Sequence, residues 1–215
     1  MPLTERSLGI RPQLDVHLEC QALLRRALAP GDRVLDVGCG DARLVRELRR
    51  DGIEATGLEI DRDLVARARL EGLDVREGRA EALPFADASF DAVVCSVVVP
   101  YTDQRLAVRE WGRVVRHGGI INATYHGPGY GLHYLLVPPE GFRSRFYGAR
   151  MLLNTAFYIG TGRRLPGFVG DTLCQSEQEM RRSYRASGLA LDVDRVVDCA
   201  LGVRRIVFHG LRKIG

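Results

Sequence analysis

Apolar positions along the chain alternate between two periods, and the alternation predicts the elements. Residues 13–28 set Leu14, Leu18, Ala22, Leu23 and Ala27 at helical spacing, and Pro30-Gly31 ends that helix. A short apolar strand, Arg33 to Val37, then runs into Gly38-Cys39-Gly40. Asp41 is placed to cap a helix from Ala42 to Arg50, with Leu44, Val45 and Leu48 on one face and Asp51-Gly52 as its breaker. The same unit repeats: strand Ile53 to Ile60, helix Asp61 to Glu71, short strand Leu73 to Arg76. Phe90 to Val99 is almost continuously apolar, as a central strand covered on both faces must be. Asp103 to Val115 reads as a helix stopped by Gly118-Gly119, and Ile120 to Tyr125 as the next strand.

After Tyr125 the rhythm fails for about 45 residues, and nine of the fifteen aromatic residues lie between Tyr125 and Phe168. Gly127-Pro128-Gly129 and Pro138-Pro139 read as turns there, and Ser144 to Ile159 as a helix with a broad apolar face. A helix from Ser176 to Ser187 follows. Leu189 to Val197 and Val203 to Leu211, joined through Cys199-Ala200-Leu201-Gly202, form an antiparallel hairpin. Strands alternating with helices make an α/β chain: a doubly wound, mostly parallel sheet with an antiparallel C-terminal hairpin. One domain over 1–215 is expected, with an N-terminal helical segment (1–30) and an aromatic-rich insertion (127–170).

Composition narrows the function classes. With 215 residues, 46% hydrophobic and 27% charged, the chain is an ordinary globular one, able to bury a core without staples. No apolar run approaches the ~20 residues of a membrane span, and the first residues lack the core of a secretory signal. A cytoplasmic protein is expected. The net charge of +4 is too balanced to demand a polyanion, and 30 of the 31 basic residues are Arg, a skew read as coding bias. Five scattered cysteines without a CxxC or Cys/His cluster point away from zinc and from a disulfide framework.

The chemistry begins at Val34 to Gly40, VLDVGCG, between a strand and a helix. Glycines there let a ligand approach the backbone, and the following helix turns its N–H groups toward it. Glu59 closes the second strand 21 residues after Gly38, the spacing of a carboxylate that accepts from ribose hydroxyls. A nucleoside-containing cofactor follows. A dinucleotide fingerprint would need glycine at position 43, where this chain has Arg, and the phosphate-loop pattern is absent.

VLDVGCG, then GLEID (Gly57 to Asp61), GRAEALPFADASFDAVVCS (Gly78 to Ser96) and EWGRVVRHGG (Glu110 to Gly119) together resemble the successive motifs of the class I S-adenosylmethionine-dependent methyltransferases. The resemblance covers Val34 to Tyr125 closely and Ser176 to Lys213 loosely. It implies a Rossmann-like seven-stranded sheet and S-adenosyl-L-methionine as cofactor. Asp36, Gly38, Cys39 and Gly40 would surround its methionine part, Glu59 the ribose, and Ile60 and Ala80 the adenine, with Cys95 and Ser96 facing it from the fourth strand. Two positions depart from the family pattern: Ala42 stands where a glycine is common, and Arg79 where an Asp usually accepts from the adenine amino group. Arg has no acceptor, so adenine must be recognised by backbone groups or by Glu81.

The implied reaction is direct displacement at a sulfonium methyl, in which the protein chiefly aligns the reacting atoms. Candidates for acceptor chemistry are His126, just past the fifth strand, and Tyr101, just past the fourth; His17 is a weaker candidate for the cofactor border. His117 reads as a cation at a helix C-terminus and Trp111 as core. Tyr130, His133 and Tyr134, with Phe142, Phe146, Tyr147, Phe157 and Tyr158, would build an apolar pocket under a lid for an aromatic or lipid-like acceptor. Arg143, Arg145, Arg150, Arg163 and Arg164 would meet a carboxylate, a phosphate or an anionic membrane surface. The expected activity is methyl transfer to an O or N atom of a small molecule, by a monomer or homodimer. Two rivals stay open: a catalytically silent protein of the same fold, and a methyltransferase acting on a macromolecule. Nucleic acid is disfavoured because Cys95-Ser96-Val97-Val98 does not match the N/D-P-P-Y motif of base-amino enzymes.

Overall fold

A computed structural model describes residue 22, residues 24–137 and residues 141–215. Most of the predicted first helix, with His17 and Cys20, and the Pro138-Pro139 turn lie outside the described residues. Seven strands form one sheet in the order β3-β2-β1-β4-β5-β7-β6. They are β1 Arg33–Val37, β2 Glu54–Glu59, β3 Val75–Glu77, β4 Phe90–Ser96, β5 Val115–His126, β6 Leu189–Ala200 and β7 Val203–Lys213. Neighbours from β3 to β5 are parallel, while β7 runs antiparallel to both β5 and β6.

Alternation along each strand divides the core in two. Leu35, Val37, Val93 and Cys95 point to the face covered by Ala107, Val108 and Trp111 of α3 (Gln104–Val114) and by Met180 and Tyr184 of α6 (Glu177–Ala186). Val34, Ala92 and Val94 point to the face covered by Leu44, Val45 and Leu48 of α1 (Arg43–Arg50) and by Val65 and Ala68 of α2 (Arg62–Leu70). Both sheet faces are therefore buried, which is why β4 carries so little polar sequence. The helices that follow β1 and β4 lie on opposite faces, so the parallel sheet switches direction between β1 and β4. Crevices at such switch points lie beyond the carboxyl ends of the strands.

Several boundaries move from their predicted positions. β5 begins at Val115 rather than at Ile120, so His117 sits in a strand and caps no helix. Gly119 bends that strand: a Cβ there would lie 2.7 Å from the Asp91 carbonyl oxygen, and the β4–β5 register shifts between Phe90 and Ala92. Ala42, not Asp41, is the N-cap of α1, with a left-handed φ of 57°. The Leu201-Gly202 turn of the hairpin has positive φ at both residues, 51° and 75°, the primed geometry that matches strand twist.

The insertion is more helical than its glycines predict. Pro128–Leu136 forms α4, with Pro128 in the first turn where a missing N–H costs nothing, and Phe142–Thr161 forms α5. Its glycines serve close packing. A Cβ on Gly148 would lie 2.6 Å from the Gly131 carbonyl oxygen, so α5 rests directly on the backbone of α4. A Cβ on Gly129 would lie 2.4 Å from the Val203 carbonyl oxygen on β7.

Candidate functional site

At the carboxyl ends of β1 and β2, and just past β4, lies a cleft of about 270 Å³. Val37, Gly38, Glu59, Ile60, Arg79, Ala80 and Glu81 line it, together with Val97, Val98, Tyr101 and Thr102 from the loop after β4. Its floor is backbone. Gly38 has φ +72°, and a Cβ there would come within 2.2 Å of Val98 Cγ2. The N–H groups of Gly38 and Cys39 both donate to the Leu58 carbonyl, at 2.7 and 3.0 Å, which draws the first loop onto β2.

Glu59 ties these loops together. One carboxylate oxygen accepts from Gly40 N–H at 2.9 Å, and the other from Ile60 and Asp61 N–H at 2.8 and 3.0 Å. The local charge is negative. Asp36 is buried at the end of β1, and burial, reinforced by Glu59 and Asp41, lifts its carboxyl to about 7. Two large side chains beside this charge stay open to solvent, Ile60 at 58% and Tyr101 at 54%.

Not every residue expected at the cofactor lies in the cleft. The Cys39 side chain turns into the core against Gly57, where a Cβ would lie 2.6 Å from Sγ, and burial raises its thiol to about 12. Cys95 is fully buried among the core residues under α3 and takes hydrogen bonds from the Val98 and Val99 N–H groups; burial pushes its thiol far up. Ser96 does not line the cleft either. The chain turns at Val97, whose φ of 58° is an unusual conformation for a β-branched residue, so Val97 and Val98 are presented in place of Cys95 and Ser96. An apolar run that continues past the strand end was the only sign of this turn.

Arg79 stands on the cleft wall with Glu81. Its guanidinium reaches Glu81 Oε1 at 3.4 Å, and the same oxygen accepts from Asp103 N–H at 3.1 Å. Glu81 thereby joins the wall to the start of α3.

From Tyr101 a line of aromatic side chains leads into the insertion. Tyr101 lies close enough to Tyr147 for each to act on the other's hydroxyl, and the Tyr147 and Tyr134 rings meet edge to face at 5.4 Å. Tyr134 and Tyr130 bring their hydroxyls to 3.5 Å. Tyr130 in turn stacks flat on His126, 3.7 Å between centroids. Burial raises the hydroxyls of Tyr101, Tyr130 and Tyr147 above the usual phenol range, so all three are neutral at physiological pH. His126 is not a cleft residue: it lies behind Tyr130, 4% exposed, and burial and then Arg205 depress its imidazole to about 4. Its Nδ1 has no hydrogen-bond partner among the described residues. His133 is half-buried, with its imidazole lowered by burial and then by Arg205.

The aromatics of the insertion do not form one pocket. Its tyrosines 130, 134 and 147 face the aromatic line, and Tyr158 is buried with its hydroxyl on Asp103 Oδ1 at 3.3 Å. Phe142, Phe146 and Phe157 point to solvent. The arginines divide as well. Arg164 spends its donors on the carbonyls of Gly170, Asp171, Pro100 and Thr102, strapping the insertion to the cleft rim. Arg150 is buried against Asp171 at 2.8 Å. No pattern in the sequence marks Arg164 as a strut, since its four partners are backbone oxygens.

Residues 35–123 match the family model described as a methyltransferase domain. Over these residues the chain resembles a methyltransferase domain. It is 26% identical over 168 residues to demethylmenaquinone methyltransferase of Corynebacterium efficiens, covering 76% of this chain and 70% of that one. It is 36% identical over 131 residues to a ubiquinone/menaquinone biosynthesis C-methyltransferase of Xanthomonas oryzae, 52% of each chain. Across such curated relatives the chain spans from 37% to 70% of their length. A Methanosarcina mazei S-adenosylmethionine-dependent methyltransferase shares the fold, with TM-score 0.65 and 20% identity over 89% of this chain and 97% of that one. The cleft fits S-adenosylmethionine in chemistry: Glu59 on its wall, with Asp36 and Asp41 near that carboxylate, for a cationic sulfonium and ammonium, and exposed apolar faces at Ile60 and Tyr101 for a flat base.

Proposed function

We propose that this protein methylates a small, flat, hydroxylated aromatic molecule of quinol type, bound between the cofactor cleft and the tyrosine line. The observation that carries the reading is the line of tyrosines that runs from Tyr101 at the cleft wall through Tyr147 and Tyr134 to Tyr130. Such a surface offers aromatic faces to a ring and hydroxyl donors and acceptors to its oxygen atoms. It offers no charge to an acidic acceptor.

When bound, the cofactor supplies an electrophilic methyl on a sulfonium. Asp36 would face its positive charge, Gly38 and Gly40 would let it approach the loop, and Glu59 would meet the ribose through the lone pairs left free by Gly40 N–H. Ile60 would cover the adenine, with Ala80 and Glu81 at its edge. Catalysis here rests on alignment rather than on a strong base. His126 is too far depressed and too deeply placed to serve as one, and Tyr101 remains protonated, so it orients the acceptor oxygen. A quinol-type ring suits that situation, because its own hydroxyl activates both the oxygen and the adjacent ring carbon. The relatives named for quinone methylation favour the carbon, while the original expectation of an O or N target fits the oxygen.

Calorimetric titration with S-adenosylhomocysteine, followed by methyl transfer from labelled S-adenosylmethionine to a naphthoquinol and to a non-aromatic acid, tests the reading. Micromolar binding, weakened at least tenfold in Glu59→Ala as expected for loss of a charge-assisted hydrogen bond of about 1.5–3 kcal/mol, with label on the naphthoquinol alone, is the expected result. Binding without transfer to any ring acceptor overturns the acceptor class. No binding by the folded protein overturns the enzyme.

A further inference from the structure

The buried face of α5 is partly polar, and its exposed side carries an apolar stripe. Toward the protein the helix turns Ser144, Arg150, Asn154 and Thr155 together with Met151 and Tyr158. Asn154 is fully buried, with its amide on the Thr172 carbonyl at 2.9 Å and on Leu165 N–H at 3.0 Å. Toward solvent it turns Phe142, Phe146, Leu153 and Phe157, with Ala149 and Ala156 between them. At 100° per residue these six positions fall on one stripe along about four turns of helix. Phe142 is 81% exposed and Leu153 61%. Contiguous apolar surface of this kind on a folded protein marks an interaction site.

The charge at its margin says what covers it. Arg143 and Arg145 are exposed at the first turn of α5, and Arg163 is exposed just past its last. Residues 127–170 contain five arginines and a single acidic residue, Glu140, an excess equal to the formal +4 of the whole chain. The rest of the chain is neutral on balance. A second copy of this chain, related by a two-fold axis and packed antiparallel along α5, would lay Arg143 and Arg145 against the partner's Arg163, like charge on like. An anionic bilayer surface accepts both features at once: its headgroups pair with the arginines and its acyl boundary takes the phenylalanines.

We propose that the exposed face of α5 docks on anionic membrane, seating the phenylalanine stripe at the headgroup boundary. The contact is peripheral, since no helix among the described residues is long and apolar enough to cross a membrane. Tyr147 projects from the same helix toward the cleft, so docking brings the acceptor site beside the lipid surface. The docking surface does not depend on the acceptor reading. It would serve any acceptor dissolved in lipid.

Co-sedimentation of the full chain with vesicles tests it, using phosphatidylcholine alone and phosphatidylcholine with an equal part of phosphatidylglycerol. Binding at least tenfold stronger to the anionic vesicles, weakening as salt is raised, is expected. The double variant Phe146→Ser, Leu153→Ser should lose tenfold or more of that binding, and Arg143→Gln roughly fivefold. Titration of each variant with S-adenosylhomocysteine, expected unchanged, separates loss of docking from loss of fold or of cofactor binding. Equal binding to both vesicles, or anionic binding that survives the double variant, overturns the proposal. So does a concentration-dependent dimer, without vesicle binding, that the double variant dissociates; that result would assign the face to a second copy.

Discussion

The two walls of the cleft are made of different materials. On the cofactor side, the carboxyl ends of β1 and β2 present backbone: Gly38 and Cys39 N–H on the Leu58 carbonyl, and Gly40, Ile60 and Asp61 N–H on one carboxylate. On the proposed acceptor side, the loop after β4 brings Tyr101 to the cleft, and the helices of the insertion continue from it with Tyr147, Tyr134 and Tyr130, whose contacts are ring edges and hydroxyls. A wall of backbone is set by φ, ψ and strand register, so it changes only when the fold does. A wall of side chains can be rebuilt one residue at a time, and there specificity resides.

Gly38→Ala breaks the comparison at its most rigid point and should have the largest effect. The new Cβ meets Val98 Cγ2 at 2.2 Å on a backbone with φ +72°. Moving Val98 displaces the other side of the same cleft. Strain and overpacking together should cost about 2–4 kcal/mol, and S-adenosylhomocysteine affinity should fall by roughly a hundredfold. Thermal melting and calorimetry read both. If Gly38→Ala binds the cofactor like the parent, the cleft floor is softer than its hydrogen bonds imply.

Asp36→Asn sharpens the same wall electrostatically. The folded protein holds the Asp36 carboxyl at about 7, against 3.8 for the free side chain. A carboxyl raised on folding favours the native state below its unfolded value and loses that contribution as pH rises through the folded one. Ionising Asp36 therefore costs stability on the order of 4 kcal/mol above pH 7. Asp36→Asn should melt at higher temperature at pH 8 and gain little at pH 4. A bound cation needs the ionised form, so the parent's affinity for S-adenosylmethionine should rise up to about tenfold between pH 6 and pH 8, then level off. The variant should bind weakly at every pH. An affinity that is flat with pH in the parent would remove Asp36 from the cationic corner.

On the acceptor wall the effects should be smaller and differently placed. Tyr101→Phe and Tyr147→Phe each remove one end of a hydroxyl pair without touching the first loop. Each should raise acceptor KM several-fold and leave the Kd for S-adenosylhomocysteine unchanged. Their double variant should show coupling of about 0.5–1.5 kcal/mol. Equal effects on cofactor and acceptor would mean that Tyr101 belongs to the cofactor wall instead.

The same contrast explains what could be read from the sequence. The strands, the first loop and Glu59 were legible because each rests on a local rule: period, glycine at positive φ, a carboxylate at a fixed distance from the loop. Cys95 faces the core rather than the cleft, and the sequence could not tell this because the register of a strand end is a tertiary fact. Whether Cys95 or Val97 meets the cleft depends on the turn at Val97, and an unbroken apolar run does not announce it. In the insertion, Gly129 reads as a turn residue when it is a packing surface of α4. The exposed phenylalanines of α5 read as pocket because apolar periodicity gives a stripe without saying what it faces.

The smallest expected effect concerns Ala42, where this chain departs mildly from the glycine common in the family it resembles. Ala42 has φ 57° and is completely buried, its methyl packed with the residues under α1. Ala42→Gly would relieve a left-handed conformation that costs an L-residue about 1 kcal/mol. It would also remove one buried methyl, worth about 0.8 kcal/mol, and restore conformational freedom to the unfolded chain, worth about 0.5 kcal/mol or more. The opposing contributions nearly cancel, so the melting temperature should move by no more than a few degrees, with cofactor affinity unchanged. A large loss on Ala42→Gly would show that the methyl, rather than the backbone, sets the angle at which α1 leaves the loop. Even the backbone wall would then rest in part on one side chain.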